Sequence, residues 1–207
     1  MKVVHPLDPI YNQESKVLIL GSFPSVKSRE NNFYYANPRN RFWPTLEKIF
    51  HEKIEANTEA RKLFLLKHKI AIFDVVKECD IKSSSDSSIK NVVPNDIKKI
   101  ILNSNIKAIF TTGTKAYDLY NKYILKDTGI AAIKLPSPSP ANCKKGIEEE
   151  LVEAYSKIKY YLEWAFFNNL KLFKTTVMLL NVMAILAIIG LSLIGRKPVA
   201  RGIIQIL

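Results

Sequence analysis

The sequence predicts an α/β fold in which helices cover both faces of a central four-stranded parallel sheet, followed by a C-terminal hydrophobic helix. Two observations predict this fold. Short apolar runs rich in β-branched residues recur four times in the first 170 residues, and stretches of helical length separate them. Such alternation is typical of parallel sheets, because each parallel connection needs a crossover that returns the chain to the starting edge.

The four predicted strands are short, continuously apolar and ended by Gly, Pro or polar residues, as buried parallel strands are. They are KVLILG (16–21), IAIFDVV (70–76), IKAIFTTG (106–113) and IAAIKLP (130–136). The Ser-rich segment IKSSSDSSIKN (81–91) is interpreted as a loop.

The stretches between these strands predict the helices that cover the sheet. They lie at residues 44–52, 58–69, 95–103, 114–125 and 145–170. The last of them carries Glu148, Glu149 and Glu150 in its first turn. Carboxylates are favourable there, because the N-terminal end of a helix dipole is positive.

Length and composition limit the classes of function. With 207 residues, of which 47% are hydrophobic, the chain can bury one ordinary core, so we expect one catalytic domain over residues 1–170. The formal net charge of +12 favours a polyanionic partner, either nucleic acid or an anionic membrane surface. Two cysteines and three histidines without metal-ligand spacing predict no disulfide framework, no metal and no cofactor. The N-terminus lacks the apolar segment of a signal peptide, so a cytoplasmic location is expected.

The tail, residues 171–207, differs in composition from the rest. All 19 acidic residues lie at or before Glu163, and residues 175–194 carry no formal charge. That segment is long enough to span a bilayer as a helix, and cationic residues flank it on both sides. Three interpretations remain open: a transmembrane helix that associates the protein with a membrane, a buried helix of the domain, and a tail acquired by fusion or frame disturbance.

Unusual polar and aromatic stretches follow each predicted strand. GSFPS and FYYANPRNRFWP follow the first strand, Asp74 closes the second, TTGTK follows the third, and LPSPSPAN follows the fourth. The carboxyl ends of parallel strands meet at one edge of a sheet, so these stretches should converge. The edge then offers rings, amides, a carboxylate and backbone N–H groups, which suit a flat polar heterocycle attached to phosphate.

Five motifs follow one another in order between residues 3 and 165: GSFPSVKS, FYYANPRNRFW, IAIFDVVKECDIKSSSDSSIKN, PNDI and LPSPSPAN. This series resembles the hypoxanthine-DNA glycosylase family of the uracil-DNA glycosylase superfamily. The resemblance implies a three-layer α/β/α sandwich with a four-stranded parallel sheet. It also implies excision of a deaminated base, hypoxanthine or uracil, from double-stranded DNA without a metal. No lysine is assigned as a Schiff-base nucleophile, so we expect a monofunctional enzyme, and we expect a monomer.

The resemblance also implies the catalytic residues. Glycosidic cleavage builds positive charge on the sugar and requires a positioned water. Mismatch-specific relatives hold that water with an Asn in the first motif, where this chain has Phe23. The family pattern points instead to Asn40 as the catalytic amide, with Asn37 as its competitor. An Asn directly before an apolar helix is also a good N-cap, so a structural role for Asn40 stays open.

Three residues are expected to bind the base: Phe23, Tyr35 and Asp74. Tyr35 corresponds to an aromatic residue that stacks on the flipped base in relatives, although it could instead fill the core. Asp74 stands where uracil-reading relatives carry an Asn, and an ionised Asp can accept the N1–H of hypoxanthine. The alternative for Asp74 is a cap of the following turn. Asp86 is expected to order its loop near the base.

A further set of residues is expected to contact DNA through its backbone or the extruded nucleotide. It comprises Ser25, Gly113, Lys115, Ser137, Pro138, Ser139 and Asn142. The prolines stiffen the loop for insertion. TTGTK can bind a phosphate or form a plain βα turn. A second class of function also remains: a module that binds DNA or a free base without cleaving it, with or without a membrane tether.

Overall fold

A four-stranded parallel sheet forms the centre of the structure, a computed structural model that describes residues 2–82 and 85–163 together with Met183. The strands are β1 (Lys2–Val4), β2 (Val17–Gly21), β3 (Ile70–Asp74), β4 (Val76–Asp80), β5 (Lys90–Pro94), β6 (Ala108–Thr112) and β7 (Ala132–Leu135). β3, β2, β6 and β7 lie side by side in that order. Every residue of β2, β3 and β6 is buried, as their continuous apolar runs require. The predicted three-layer α/β fold is confirmed.

The strand order creates a crevice between β2 and β6. From β2 the chain crosses to β3 on one side, and it later returns to β6 on the other side of β2. The connections that leave β2 and β6 therefore diverge at their carboxyl ends. Crevices of this kind are where open α/β sheets bind their ligands.

A second, smaller sheet was not predicted. It is antiparallel with the order β1–β4–β5. The single strand predicted over 70–76 is in fact two strands, because Val75 donates its N–H to the Gly21 carbonyl and β4 then pairs with β1. The apolar run continues across Asp74 to Val76. Hydrophobic periodicity alone therefore could not show that the chain changes sheets there.

The helices follow the predicted order with shifted ends. They are α1 (Val26–Glu30), α2 (Phe42–Phe50), α3 (Thr58–Lys67), α4 (Ile97–Leu102), α5 (Thr114–Tyr123), α6 (Leu125–Thr128) and α7 (147–163). The helix predicted over 114–125 divides at Ile124, and α1 was not predicted. In α7, Leu151, Tyr155 and Ile158 are buried at helical spacing, so one face of this helix packs into the core.

The tail lies almost entirely outside the described residues. Among the residues that the structure describes, no helix is long and apolar enough to cross a membrane. Apart from Met183, the residues of the hydrophobic helix predicted over 175–194 lie outside them, and the domain boundary predicted at residue 170 stays a prediction.

Candidate active site

A cavity of about 350 Å³ opens at the carboxyl edge of the parallel sheet. Its walls come from residues 21–28 after β2, from the segment that contains Tyr34 to Asn40, from Asp74 and Thr112 at the ends of β3 and β6, from Ile81 and Asp86, and from residues 137–141 after β7. The predicted stretches after β2, β3 and β7 therefore meet in one place, as their positions on the strands require.

Asp74 contributes a buried carboxylate to this cavity. Its Oδ2 lies 2.8 Å from Nε2 of His5, and the two side chains are 7% and 2% exposed. Asn95 fixes the backbone at the same point by donating Nδ2–H to the Asp74 carbonyl at 2.9 Å. Among the described residues, no backbone N–H donates a hydrogen bond to the Asp74 carboxylate. The alternative in which Asp74 caps the following turn therefore has no hydrogen bond to support it.

Gly21 ends β2 directly beside this carboxylate. A Cβ at Gly21 would collide with Oδ1 of Asp74, and β2 pairs with β3 in the register Gly21–Asp74. Only a residue without a side chain lets the carboxylate occupy this position. The Gly of GSFPS is therefore needed for the placement of Asp74.

Tyr35 is held rigidly at the cavity wall. Its ring stacks on Phe42 with centroids 3.9 Å apart, and its hydroxyl lies 3.0 Å from Oγ1 of Thr112. Its backbone has a φ of 50°, a conformation uncommon for a residue with a side chain. Burial, and then the charge of Asp74, raise the pKa of Tyr35 well above its ordinary value, so the phenol stays neutral. Phe42 thus covers one face of the Tyr35 ring.

Phe23 and Ser25 both line the cavity, but they present different surfaces to it. The Phe23 ring is buried and meets the His5 ring edge-on at 5.7 Å, while the Arg29 guanidinium lies 5.7 Å from its centroid. Ser25 also lines the cavity, but its Oγ caps α1 by accepting from the Ser28 N–H at 3.1 Å. Phe23 thus offers an apolar surface, and the Ser25 hydroxyl is engaged in local structure.

Asp86 closes the side of the cavity near β2. Its Oδ1 accepts a hydrogen bond of 2.6 Å from the Ser22 hydroxyl, as the expected ordering of its loop requires. Asp86 is exposed as a residue, yet its carboxyl is partly desolvated, and this desolvation raises its pKa. The Ser22 hydrogen bond opposes that shift, and the charge of Asp74 reinforces it.

Asn40 and Asn37 both line the cavity and both form local turns. Oδ1 of Asn40 accepts from the Phe42 N–H at 2.9 Å, and Oδ1 of Asn37 accepts from the Arg39 N–H at 3.0 Å. Asn40 thus forms a turn just before α2, whose N-cap position is Arg41. Its Nδ2 donates to none of the described residues, and its carbonyl oxygen has a second lone pair, so the amide can also bind water.

The loop after β7 is fixed against the segment that carries Asn40. Arg41 donates Nη1–H to the carbonyls of Ser139 and Asn142 at 3.1 and 3.3 Å, and its backbone N–H bonds the Pro138 carbonyl. Within the loop, Ser137 Oγ accepts from the Ser139 N–H, and Asn142 donates Nδ2–H to the Ser137 carbonyl. Ser137, Pro138 and Ser139 line the cavity.

The structure does not bring Gly113, Lys115 or Asn142 to the cavity wall. Gly113 has a φ of 91° and donates its N–H to the Leu135 carbonyl, so this amide is already used. A Cβ there would lie 3.1 Å from that of Ser137, which explains the glycine by close packing of the two loops. Lys115 lies near enough to Asp86 to lower its pKa slightly against the larger effect of burial.

The sequence motifs did not indicate Thr112, which lines the cavity, or His5, which bonds the cavity residue Asp74 from behind the wall. His5 lies 69 positions before Asp74, so no local spacing connects them. The pairing of β1 with β4 and the bridge between Ile10 and Ile72 place the N-terminal segment beside β3. Thr112 ends β6, and its position at the carboxyl edge was the available signal.

Comparisons with known proteins agree with the motif series. The sequence model of the Uracil DNA glycosylase superfamily matches residues 9–159. A hypoxanthine DNA glycosylase of Methanosarcina acetivorans is 32% identical over 137 residues, which cover 64% of this chain and 84% of that protein. A hypoxanthine DNA glycosylase of Methanosarcina barkeri is 30% identical over 136 residues, which cover 65% and 85%. The solution NMR structure of a candidate uracil DNA glycosylase from Methanosarcina acetivorans matches with a TM-score of 0.63 at 28% identity, covering 77% of this chain and 99% of that chain.

Proposed function

The chain belongs to the uracil DNA glycosylase superfamily and is a DNA glycosylase, and we propose that it removes hypoxanthine, and with lower preference uracil, from double-stranded DNA. The two relatives named hypoxanthine DNA glycosylase support hypoxanthine as the first choice. The target nucleotide is flipped out of the duplex into the cavity, because its glycosidic bond is out of reach inside the stack.

The observation that carries the proposal is the carboxylate of Asp74 in the cavity wall. An ionised carboxylate only accepts hydrogen bonds, and the N1–H of hypoxanthine is a donor. The rings of Tyr35 and Phe23 line the same cavity. Stacking on an aromatic side chain contributes about 1–3 kcal/mol per base, which offsets much of the free energy lost when the base leaves the duplex.

Cleavage is assigned to a water held by Asn40, with Asn37 as the second amide at the cavity wall. The water oxygen forms a bond to C1′ as the bond from C1′ to the base nitrogen breaks. The base leaves with the bonding electron pair and is protonated, and the water loses a proton to solvent. Positive charge on the sugar is stabilised by the DNA phosphates.

Strand scission is not part of the proposed reaction. Lys27 stands at the rim of the cavity, where its Nζ pairs with Glu30 at 2.8 Å. A protonated lysine in an ion pair is a poor nucleophile for a Schiff base. The proposed enzyme is therefore monofunctional, and the abasic site stays intact until alkali cleaves it.

DNA is proposed to approach the cavity across the loop of residues 137–141. Its prolines and the contacts of Arg41 hold the loop in one conformation, so insertion into the duplex costs little additional entropy. Arg39, an exposed residue two positions before Arg41, supplies phosphate affinity that weakens with salt. Ser137 and Ser139 are the hydroxyls of this loop closest to the cavity.

The test is single-turnover excision by the full-length protein on duplexes that carry one deoxyinosine or one deoxyuridine, followed by alkali. We expect breakage at deoxyinosine, weaker breakage at deoxyuridine, and a loss of about a hundredfold or more with Asn40→Ala. Asn105→Ala is the matched control, since Asn105 precedes β6 at the opposite edge of the sheet. Folded protein that binds these duplexes without excising either base would replace the proposal by a binding module.

A further inference from the structure

We propose that His5 is a positioning residue that holds Asp74 as an ionised, acceptor-only carboxylate, and that this pair enables the cavity to distinguish a deaminated base from its parent. This inference rests on the proposed function, since it concerns how the same cavity selects its base. It assigns a role to a residue of the N-terminal segment that lies outside every motif of the family resemblance.

The backbone fixes the tautomer of His5. The N–H of Leu7 donates to Nδ1 of His5 at 3.1 Å, so Nδ1 must present its lone pair. The proton of the neutral ring is then on Nε2, which lies 2.8 Å from Oδ2 of Asp74. His5 is therefore a donor to Asp74.

This donor determines the chemical form of Asp74. A buried carboxylate loses its hydration, and without compensation it becomes a neutral acid. A hydrogen bond to the charged form favours ionisation, and His5 supplies one from a side chain that is 2% exposed. Oδ2 is thereby occupied, and Oδ1 lies beside Gly21 with no side chain to cover it.

The other titratable groups near Asp74 do not supply an alternative partner. Tyr34 and Tyr35 face it from the segment after α1, and burial raises the pKa of both well above the ordinary value, so they remain neutral. Tyr34 donates its hydroxyl proton to the Asp8 carbonyl, and Tyr35 is paired with Thr112. Asp86, from the turn between β4 and β5, adds negative charge. Among the described residues, His5 alone makes a side-chain hydrogen bond to the Asp74 carboxylate.

An acceptor-only group recognises the chemical mark that deamination leaves on a base. Adenine N1 and cytosine N3 are acceptors, and deamination converts them into the N1–H of hypoxanthine and the N3–H of uracil. An ionised carboxylate binds the N–H and repels the lone pair of the parent base. A protonated Asp74 could donate to that lone pair, so losing His5 should reduce discrimination against adenine.

Two variants of the full-length chain test this inference. His5→Phe keeps a ring among Phe23, Phe73 and Tyr34 but removes the donor. His5→Gln removes the ring but keeps an N–H at a similar reach. Single-turnover excision of hypoxanthine is measured for each variant, with adenine duplexes in parallel. Thermal unfolding first establishes that each variant is folded.

We expect His5→Phe to lose about tenfold or more in hypoxanthine excision and to lower the ratio of hypoxanthine to adenine excision, whereas His5→Gln should retain most of both. An unchanged ratio in His5→Phe, or an equal loss in both variants, would overturn the inference.

Asp74→Asn is an independent test that needs no change at His5. An amide presents a donor as well as an acceptor, so the preference for hypoxanthine over adenine should fall. An Asp74→Asn variant with the wild-type preference would refute the role of the pair. Absence of excision by the wild-type protein would contradict the proposed function itself, and in that case the variants could not differ.

Discussion

Tyr35 and Phe42 lie with their ring centroids 3.9 Å apart and their planes within 13° of parallel. Phe42 is fully buried at the start of α2, so it forms a fixed support for the Tyr35 ring. Tyr35 itself lines the cavity, so the stack connects the hydrophobic core to the cavity wall. Under the proposed function, the Tyr35 ring is the surface on which the flipped base stacks.

Removing the ring of Tyr35 should therefore weaken base capture. We expect Tyr35→Ala to reduce hypoxanthine excision by about tenfold to a hundredfold, because one stacking contact is lost. Tyr35→Phe keeps the ring and loses only the Thr112 hydrogen bond, so its rate should stay within a few-fold of wild type. Single-turnover rates of the two variants provide the comparison, and equal losses would argue against stacking by this residue.

Arg41 should contribute by fixing the loop after β7 rather than by attracting DNA phosphates. Arg41→Ala removes the hydrogen bonds to the Ser139 and Asn142 carbonyls, and we expect a loss of about 1–2 kcal/mol in the free energy of unfolding together with slower excision. The neighbouring Arg39 is exposed, and its guanidinium makes no hydrogen bond to the described residues. Arg39→Ala should leave the unfolding free energy unchanged and reduce only the salt-dependent DNA affinity. Urea unfolding and binding titrations at two salt concentrations separate the two effects.

Asp86 gives the protein a pH dependence of known sign. Partial desolvation raises the pKa of its carboxyl, so the folded protein binds this proton more tightly than the unfolded chain does. The resulting stabilisation is complete below the unfolded pKa of about 3.9 and is lost as the pH rises through the folded value. Asp86→Asn should remove it, so the variant gains stability relative to wild type over that interval. Urea unfolding midpoints of wild type and Asp86→Asn are measured across this pH interval. A difference between the two midpoints that does not change with pH would contradict this interpretation.

The tail should be dispensable for base excision. Residues Met1–Ala165 form a compact unit, and the solved structure from Methanosarcina acetivorans is covered over 99% of its length by 77% of this chain. We expect a chain ending at residue 165 to excise hypoxanthine within about twofold of the full-length rate. Cell fractionation tests the membrane interpretation separately. If the tail is an anchor, only the full-length chain enters the membrane fraction. A tail-independent distribution would count against an anchor.

The sequence predicted the central sheet well because continuous apolar runs such as VLILG leave few alternatives to a buried strand. The sequence also predicted that Phe23, Tyr35 and Asp74 lie at one edge of the sheet, because the carboxyl ends of parallel strands meet at the same edge. It did not predict β4 and β5, whose polar residues and register shifts hide the alternation that marks a strand. His5 could not be assigned either, because its role depends on a contact 69 positions away.

The hydrogen bond between His5 and Asp74 joins the small sheet to the parallel sheet. His5 directly follows β1 and donates its backbone N–H to the Lys77 carbonyl of β4, while Asp74 is joined to β4 through Val75 alone. The two partners are therefore held by different sheets: His5 is bonded to β4 of the small sheet, and Asp74 ends β3 of the parallel sheet, in register with Gly21. Their hydrogen bond of 2.8 Å is thus a cross-link between the two sheets. A shift of one sheet against the other would lengthen this bond, so the seam between the sheets sets the distance between donor and carboxylate.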